Sequence, residues 1–115
     1  MRITTRQDGT IVIVEPVGNL TGADAVRQVE DSLRLLGRIG TRTTIVNLEH
    51  VKVIDLEGLA ALIDGYRDVR AAGGEVRLAG VTAQIGDMVV VTRLVTTFST
   101  FESVEAALDG PIRPS

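Results

Sequence analysis

The sequence has no cysteine and no tryptophan, one tyrosine, two phenylalanines, one histidine (His50) and one lysine (Lys52). Without cysteine there is neither a disulfide framework nor a thiolate metal site, and the chain fits a reducing compartment. With His50 the only imidazole, a zinc site would rest almost wholly on carboxylates, so no metal or other cofactor is expected. Aromatic residues make up 3% of the chain, which leaves few rings for stacking nucleic-acid bases. No basic block is present and the net charge is −3, so no nucleic-acid partner is expected. Apart from Lys52 the twelve cationic residues are all arginine, read as compositional bias. No apolar run approaches the roughly 18 residues that span a bilayer. The longest, "MVVVTRLV", is interrupted by Arg93. The N-terminal "MRITTRQDGT" lacks the apolar core of a signal peptide. The expected location is the cytoplasm.

What is present is ordinary for a packed domain: 115 residues, 44% apolar and 23% charged. The core must be built from Val, Leu, Ile and Ala. Asp8-Gly9 predicts a tight turn between two strands, the second being the apolar run Ile11–Glu15, ended by Pro16 and Gly18. Val26, Val29, Leu33 and Leu36 then fall at helical spacing, with Thr21 as N-cap and Gly37 as C-cap. A buried strand is predicted from about Thr43 to Leu48. Leu59, Leu62, Ile63, Tyr66 and Val69 mark a second helix, stopped at Gly73-Gly74. "EVRLAGV" reads as a strand with Val76 and Leu78 inward. A third helix is predicted after Thr82, with Ile85, Met88, Val89 and Leu94 buried. "TTFSTF" reads as a short strand, and "SVEAALDG" as a final helix capped by Ser103 and stopped by Gly110-Pro111. The order predicts one α/β domain over residues 1–110, with a loose tail over 111–115. Its sheet is mixed, mostly parallel, of about five strands, with helices packed against it.

The stretch with most chemical content is "VKVIDLEGLAAL", residues 51 to 62, where Asp55-Leu56-Glu57-Gly58 joins a strand to a helix. As a catalytic pair, Asp55 and Glu57 would need a pocket and a perturbed carboxyl, and no second cluster of His, Lys or Tyr supplies one. The better-supported reading is a helix start: Asp55 as N-cap, and Glu57 in a first turn where the helix dipole favours an acid. "GNLTG" before the first helix lacks a dinucleotide or P-loop pattern. His50 reads as a solvent-facing loop residue. Met88 with Val89 to Val91 reads mainly as core, with exposure of part of the run as the smaller possibility. A response-regulator receiver has similar length and alternation, but Pro16-Val17-Gly18 stands where its acidic pair would be, and the opening hairpin does not suit it.

"TTIVNLEHVKVIDLEGLAALIDGYRDVRAAGGEVRLAGVTAQIGDMV" resembles the heart of a STAS domain, the fold of bacterial anti-sigma-factor antagonists. In that family a strand ends in Asp-Leu, and Asp-Ser-Ser-Gly-Leu then opens a helix that ends in Gly-Gly. The corresponding residues here are Asn47-Leu48, Asp55-Leu56-Glu57-Gly58-Leu59 and Gly73-Gly74. "VGNLTGADA" resembles the family's Gly-x-Leu-Asp turn, with Thr21 in the Asp position. "FSTFESVEAAL" resembles its closing strand and helix. The resemblance covers nearly the whole chain.

The resemblance implies a non-enzymatic regulatory domain. It would act in transcription regulation by binding a protein partner, an anti-sigma factor/serine kinase, which frees a sigma factor. The family's switch is phosphorylation of the Ser before the Gly. Glu57 stands at that position, so the corner lacks the hydroxyl and carries a fixed charge. The expected partner-binding residues are Asn19, Thr21, Asp55, Leu56, Glu57 and Gly58, with Asp55 capping, Leu56 anchoring, Glu57 setting the charge and Gly58 permitting close approach. Thr21, Thr97 and Ser99 are further hydroxyls, none of them marked. The alternative is a structural or adaptor subunit of a larger assembly, stressosome-like or transporter-associated, with a possible homo-oligomer. A nucleotide-binding enzyme is a third class, recognisable by saturable nucleotide binding.

Overall fold

A two-residue loop, Gly9-Thr10, joins the first two strands, with Gly9 in the left-handed region at φ +63°. β1 (Arg2–Asp8) runs antiparallel to β2 (Ile11–Leu20), with Asp8 opposite Ile11 and Arg2 opposite Val17. The structure, a computed structural model, describes residues 1–81 and 99–109. The helix expected after Thr82, the exposure of the Met88 run, Thr97 and the tail over 111–115 lie outside the described residues.

The remaining elements, in chain order, are α1 (Gly22–Arg38), β3 (Thr43–Asn47), β4 (Val51–Ile54), α2 (Leu56–Ala71), β5 (Glu75–Ala79), β6 (Ser99–Phe101) and α3 (Val104–Asp109). The sheet order is β1-β2-β3-β5-β6, and β4 pairs with the far end of β2. Every pairing except β1 with β2 is parallel. The chain is therefore a single α/β domain with a mixed, mostly parallel sheet.

β2 does not stop at Pro16 and Gly18, as the sequence suggested. It runs on to Leu20 because it changes partner there: its last β3 partner position is Val14, and its first β4 partner position is Gly18. Pro16 falls between the two parallel ladders, where no parallel partner loses a hydrogen bond to its missing N–H. The sequence reading also missed β4 as a strand of its own.

The two sheet faces have separate cores. Val14, Val46, Val76 and Leu78 face α1 and α2. Ile13, Ile45 and Ala79 face α3 through Val104 and Ala107. On α1 the buried side chains are Ala25, Val29, Leu33 and Leu36, at helical spacing. Gly37 is not the C-cap of that helix. It is a buried packing residue, where a Cβ would lie 3.1 Å from the Asp68 carbonyl oxygen. The helix ends at Ile39 and Gly40, with Gly40 at φ +76° and Thr41 N–H donating to the Leu36 carbonyl, as a left-handed stop requires.

α1 and α2 lie side by side and run in the same direction. Leu33 meets Gly65, and one turn later Gly37 meets Asp68 and Val69. A Cβ at Gly65 would stand 2.7 Å from Leu33 Cβ, so this helix pair is as close as backbone allows.

On the other face, Arg77 is a buried cation that the alternation of "EVRLAGV" did not reveal. Its residue exposure is 2%. Nε donates to Glu75 Oε1 at 2.9 Å, Nη1 donates to the Ala107 carbonyl near the end of α3, and the guanidinium lies 5.6 Å from the Phe101 ring centre. Its charge is thus paired, hydrogen-bonded and stacked, which is what allows it to be buried.

Two outcomes follow from this packing. Gly65→Ala sets a helix-propensity gain of about 1 kcal/mol against an overpacking cost of roughly 1–3 kcal/mol. The clash runs along the whole Leu33 side chain, from Cδ1 back to Cβ, and is not relieved by moving the tip alone, so urea denaturation should show a net loss of about 1 kcal/mol. Stabilisation would show that the helices part at no cost. Arg77→Met should destabilise by about 3 kcal/mol, because Glu75 and the Ala107 carbonyl lose their partner. Adding Glu75→Gln should recover part of that loss in a double-mutant cycle, and strict additivity would mean that the pair is not coupled.

Candidate functional site

β2 and β4 end together, with Leu20 paired to Ile54. The next residues, Thr21 and Asp55, are the N-caps of α1 and α2. Two helix starts are thereby set side by side at the carboxyl end of the parallel strands. Asp55 N–H donates to the Leu20 carbonyl at 3.4 Å, and Gly18 N–H donates to the His50 carbonyl at 3.1 Å. The end of β2 at "GNLT" and the acidic corner, far apart in sequence, are thus neighbours.

Asp55 caps α2 as its sequence position suggested. Its Oδ1 accepts from Gly58 N–H at 2.7 Å, satisfying one of the donors a helix start leaves open. That bond holds the carboxylate in the main chain of its own helix. Thr21 holds the equivalent place on α1, but its side chain makes no capping hydrogen bond. The Thr21 side chain is half-buried, and Asn19 beside it is exposed.

Gly58 is buried, so its role is internal. A Cβ there would lie 2.3 Å from the Leu20 carbonyl oxygen and 2.8 Å from Leu20 Cγ. The close approach expected of this glycine is therefore to β2, within the domain, and not to a partner. It seats the α2 start against the end of the sheet.

Leu56 and Glu57 are exposed on the first turn of α2, and Leu56 is 72% accessible. Glu57 makes no ion pair among the described residues. With Asp24 in the first turn of α1, it places acid at the positive ends of two parallel helix dipoles, where an anion is favoured by about 0.3–1 kcal/mol.

The sequence reading missed Lys52 and Val53 as neighbours of this corner. On β2, Gly18 and Leu20 are two residues apart; their β4 partners, Val51 and Ile54, are three apart. β4 thus carries an extra residue, a bulge that breaks its alternation. Val51 and Ile54 both turn inward, and Lys52 and Val53 are both exposed, Val53 at 50%. Strict alternation would put Val51 and Val53 on one face, so periodicity alone could not find this.

Asn47 closes the neighbouring loop. It is buried at 3%, donates through Nδ2 to Glu15 Oε2 at 3.0 Å, and accepts the Glu49 N–H through Oδ1 at 3.1 Å. His50 is exposed, as expected of a loop residue. Ser103, also expected as a cap, accepts the Ala106 N–H at 3.1 Å. Among the described residues, no group of His, Asp and Glu converges as a metal site would require. No helix of the described residues is long and apolar enough to cross a membrane. The arrangement presents an apolar side chain and a fixed acid on a braced backbone. It offers a surface for contact.

Comparison with known proteins bears on this site. A search of curated proteins by sequence finds no match. Solved structures similar to this one include an anti-sigma factor antagonist from Mycobacterium paratuberculosis, at TM-score 0.80 and 15% identity, covering 93% of this chain and 90% of that one. The anti-sigma factor antagonist SpoIIAA in its unphosphorylated form is similar at TM-score 0.73 and 16% identity, covering 93% and 94%. A serine-to-glutamate variant of RsbS from Moorella thermoacetica is similar at TM-score 0.76 and 16% identity, covering 95% and 93%. At these identities the likeness is one of fold. The family model for the STAS domain matches residues 2–107: the chain belongs to the STAS domain family.

Proposed function

We propose that this STAS domain is a non-enzymatic regulator of transcription, similar to the anti-sigma factor antagonists. In this reading it works in the cytoplasm by binding a protein partner, an anti-sigma factor/serine kinase. The observation that carries the proposal is Leu56, a large apolar side chain 72% exposed on a helix start that Asp55 and Gly58 hold rigid. Leucine on a braced turn is a low-entropy anchor for a partner pocket. Asn19, Thr21 and Glu57 surround it as polar rim, Asp55 sets the backbone, and Gly58 acts from within by seating the turn.

Glu57 gives the proposal its regulatory content. Aligned on the family motif, it stands where a phosphorylatable serine is expected. A phosphate would bring about −1.5 to −2 charges and could be removed; a carboxylate brings one and cannot. The corner is therefore not switched by phosphorylation at this position. The neighbouring apolar anchor favours constitutive binding to a partner adapted to a fixed acid over permanent mimicry of a released state.

Pull-downs from the native cell with wild type, Glu57→Ser and Glu57→Arg test the surface. Charge reversal should change which proteins are captured, and identical captures from all three would remove the corner from the proposal. With the captured partner purified, Leu56→Ala should weaken binding by about tenfold, or 1.4 kcal/mol, in a calorimetric titration. Unchanged affinity would mean that Leu56 is not an anchor. Only Glu57→Ser should become a phosphate acceptor at this corner when the partner is a serine kinase, read by mass spectrometry.

A further inference from the structure

The large apolar side chains exposed on the described surface are Leu35, Ile39, Val53 and Leu56. They fall into two groups at opposite ends of the α1/α2 pair, which is about 25 Å long at 1.5 Å per residue. Val53 and Leu56 lie at the amino end of the helices, beside Glu57, Asp24 and Lys52. Leu35 and Ile39 lie at the carboxyl end of α1, beside Arg34 and Arg38. At that end, a groove of about 310 Å³ runs between α1 and α2, lined by Arg34, Gly37, Arg38, Asp68, Ala71 and Ala72. Gly37 is buried within it, and Ala71, Ala72, the two arginines and Asp68 are exposed around it.

We infer that the acidic corner of one copy docks into this groove of a second copy, head to tail. The charges are complementary in both senses. Leu56 with Glu57 presents an apolar knob and an acid, and the groove offers a small-residue hollow and two arginines. Lys52, exposed beside the knob, corresponds to Asp68 on the rim. Arg38 has no ion-pair partner within its own chain among the described residues. Arg34 meets Glu30 at 3.9 Å and Asp31 at 3.7 Å, both loose surface contacts that contribute little. Self-docking buries apolar surface that the monomer leaves in water and gives the arginines a carboxylate.

The contact joins unlike surfaces, so it is heterologous. Each copy keeps one free end, and the assembly grows along a line unless the rotation closes a ring. It shares Leu56 and Glu57 with the partner surface proposed above. A bound partner therefore caps the assembly at its corner end, and self-assembly competes with partner binding.

Sedimentation velocity over a range of concentrations tests the inference. The wild type should give a mass that rises with concentration past two chains and falls back in high salt, because the pairs at the rim are screened. Glu57→Arg alone, and Arg34→Ala with Arg38→Ala, should each weaken association by about tenfold or more. An equal mixture of these two variants restores one good contact, the intact groove of the first with the intact corner of the second. It should form a dimer of two chains and grow no further.

A wild type that stays monomeric at every concentration overturns the inference. So does a mixture that forms no dimer, which would mean that any self-contact joins like surfaces. Circular dichroism checks that the variants are folded. The doubly substituted groove variant keeps its corner and should still bind the protein partner. If it does while the wild type stays monomeric, only the self-docking falls. If Leu56→Ala leaves partner affinity unchanged while the mixture still dimerises, only the partner reading falls.

Discussion

Gly58 lies against the main-chain carbonyl of Leu20 with no room for a single carbon between them. Much of the domain's functional geometry follows from that approach. Because α2 starts directly over the end of β2, the paired ends Leu20 and Ile54 deliver their N-caps to adjacent places. The two helices then run parallel, and the same demand for closeness recurs along the pair at Gly65 against Leu33 and at Gly37 against Asp68. Three glycines in three successive stretches let two helices share one face of a narrow sheet.

This packing has electrostatic consequences. Two helices running in one direction add their dipoles, so one end of the layer favours acid and the other favours base. Glu57 and Asp24 occupy the first end, and Arg38 and Arg70 lie in the last turns at the second. The exposed apolar residues are divided between the same two ends. A domain of this form is bipolar in both charge and apolar surface.

Burial on the opposite face follows a different logic. Arg77 lies in line with Ile13 and Ile45 across the sheet, where an aliphatic side chain would pack simply. Its charge is tolerated because Glu75, the Ala107 carbonyl and the Phe101 ring together replace water. The arrangement ties the short α3 to β5 with a directional bond, on the face that carries Ile13 and Ile45.

Local chemistry was enough to read most of the elements. The Asp8-Gly9 turn, the helical stripes of α1 and α2, the caps Asp55 and Ser103, and the parallel α/β order are all short-range signals. They depend on turn geometry, capping and period, which neighbouring residues set. That an apolar residue, Leu56, stands between two acids at the corner was also legible; its exposure was not. What the sequence did not disclose depends on residues far apart in the chain. Pro16 passes through a strand because β2 changes partners there. Val53 turns outward because β4 has one residue too many against β2. Gly37 and Gly58 serve packing because another element presses on each. Arg77 is buried because Ala107 and Phe101, from later in the chain, join its strand neighbour Glu75 around it. Sequence by itself determined which local structures this protein can form and that its second helix begins in acid. Tertiary structure alone decided that this acid start lies beside the first helix, because only long-range pairing of Leu20 with Ile54 sets the distance between them.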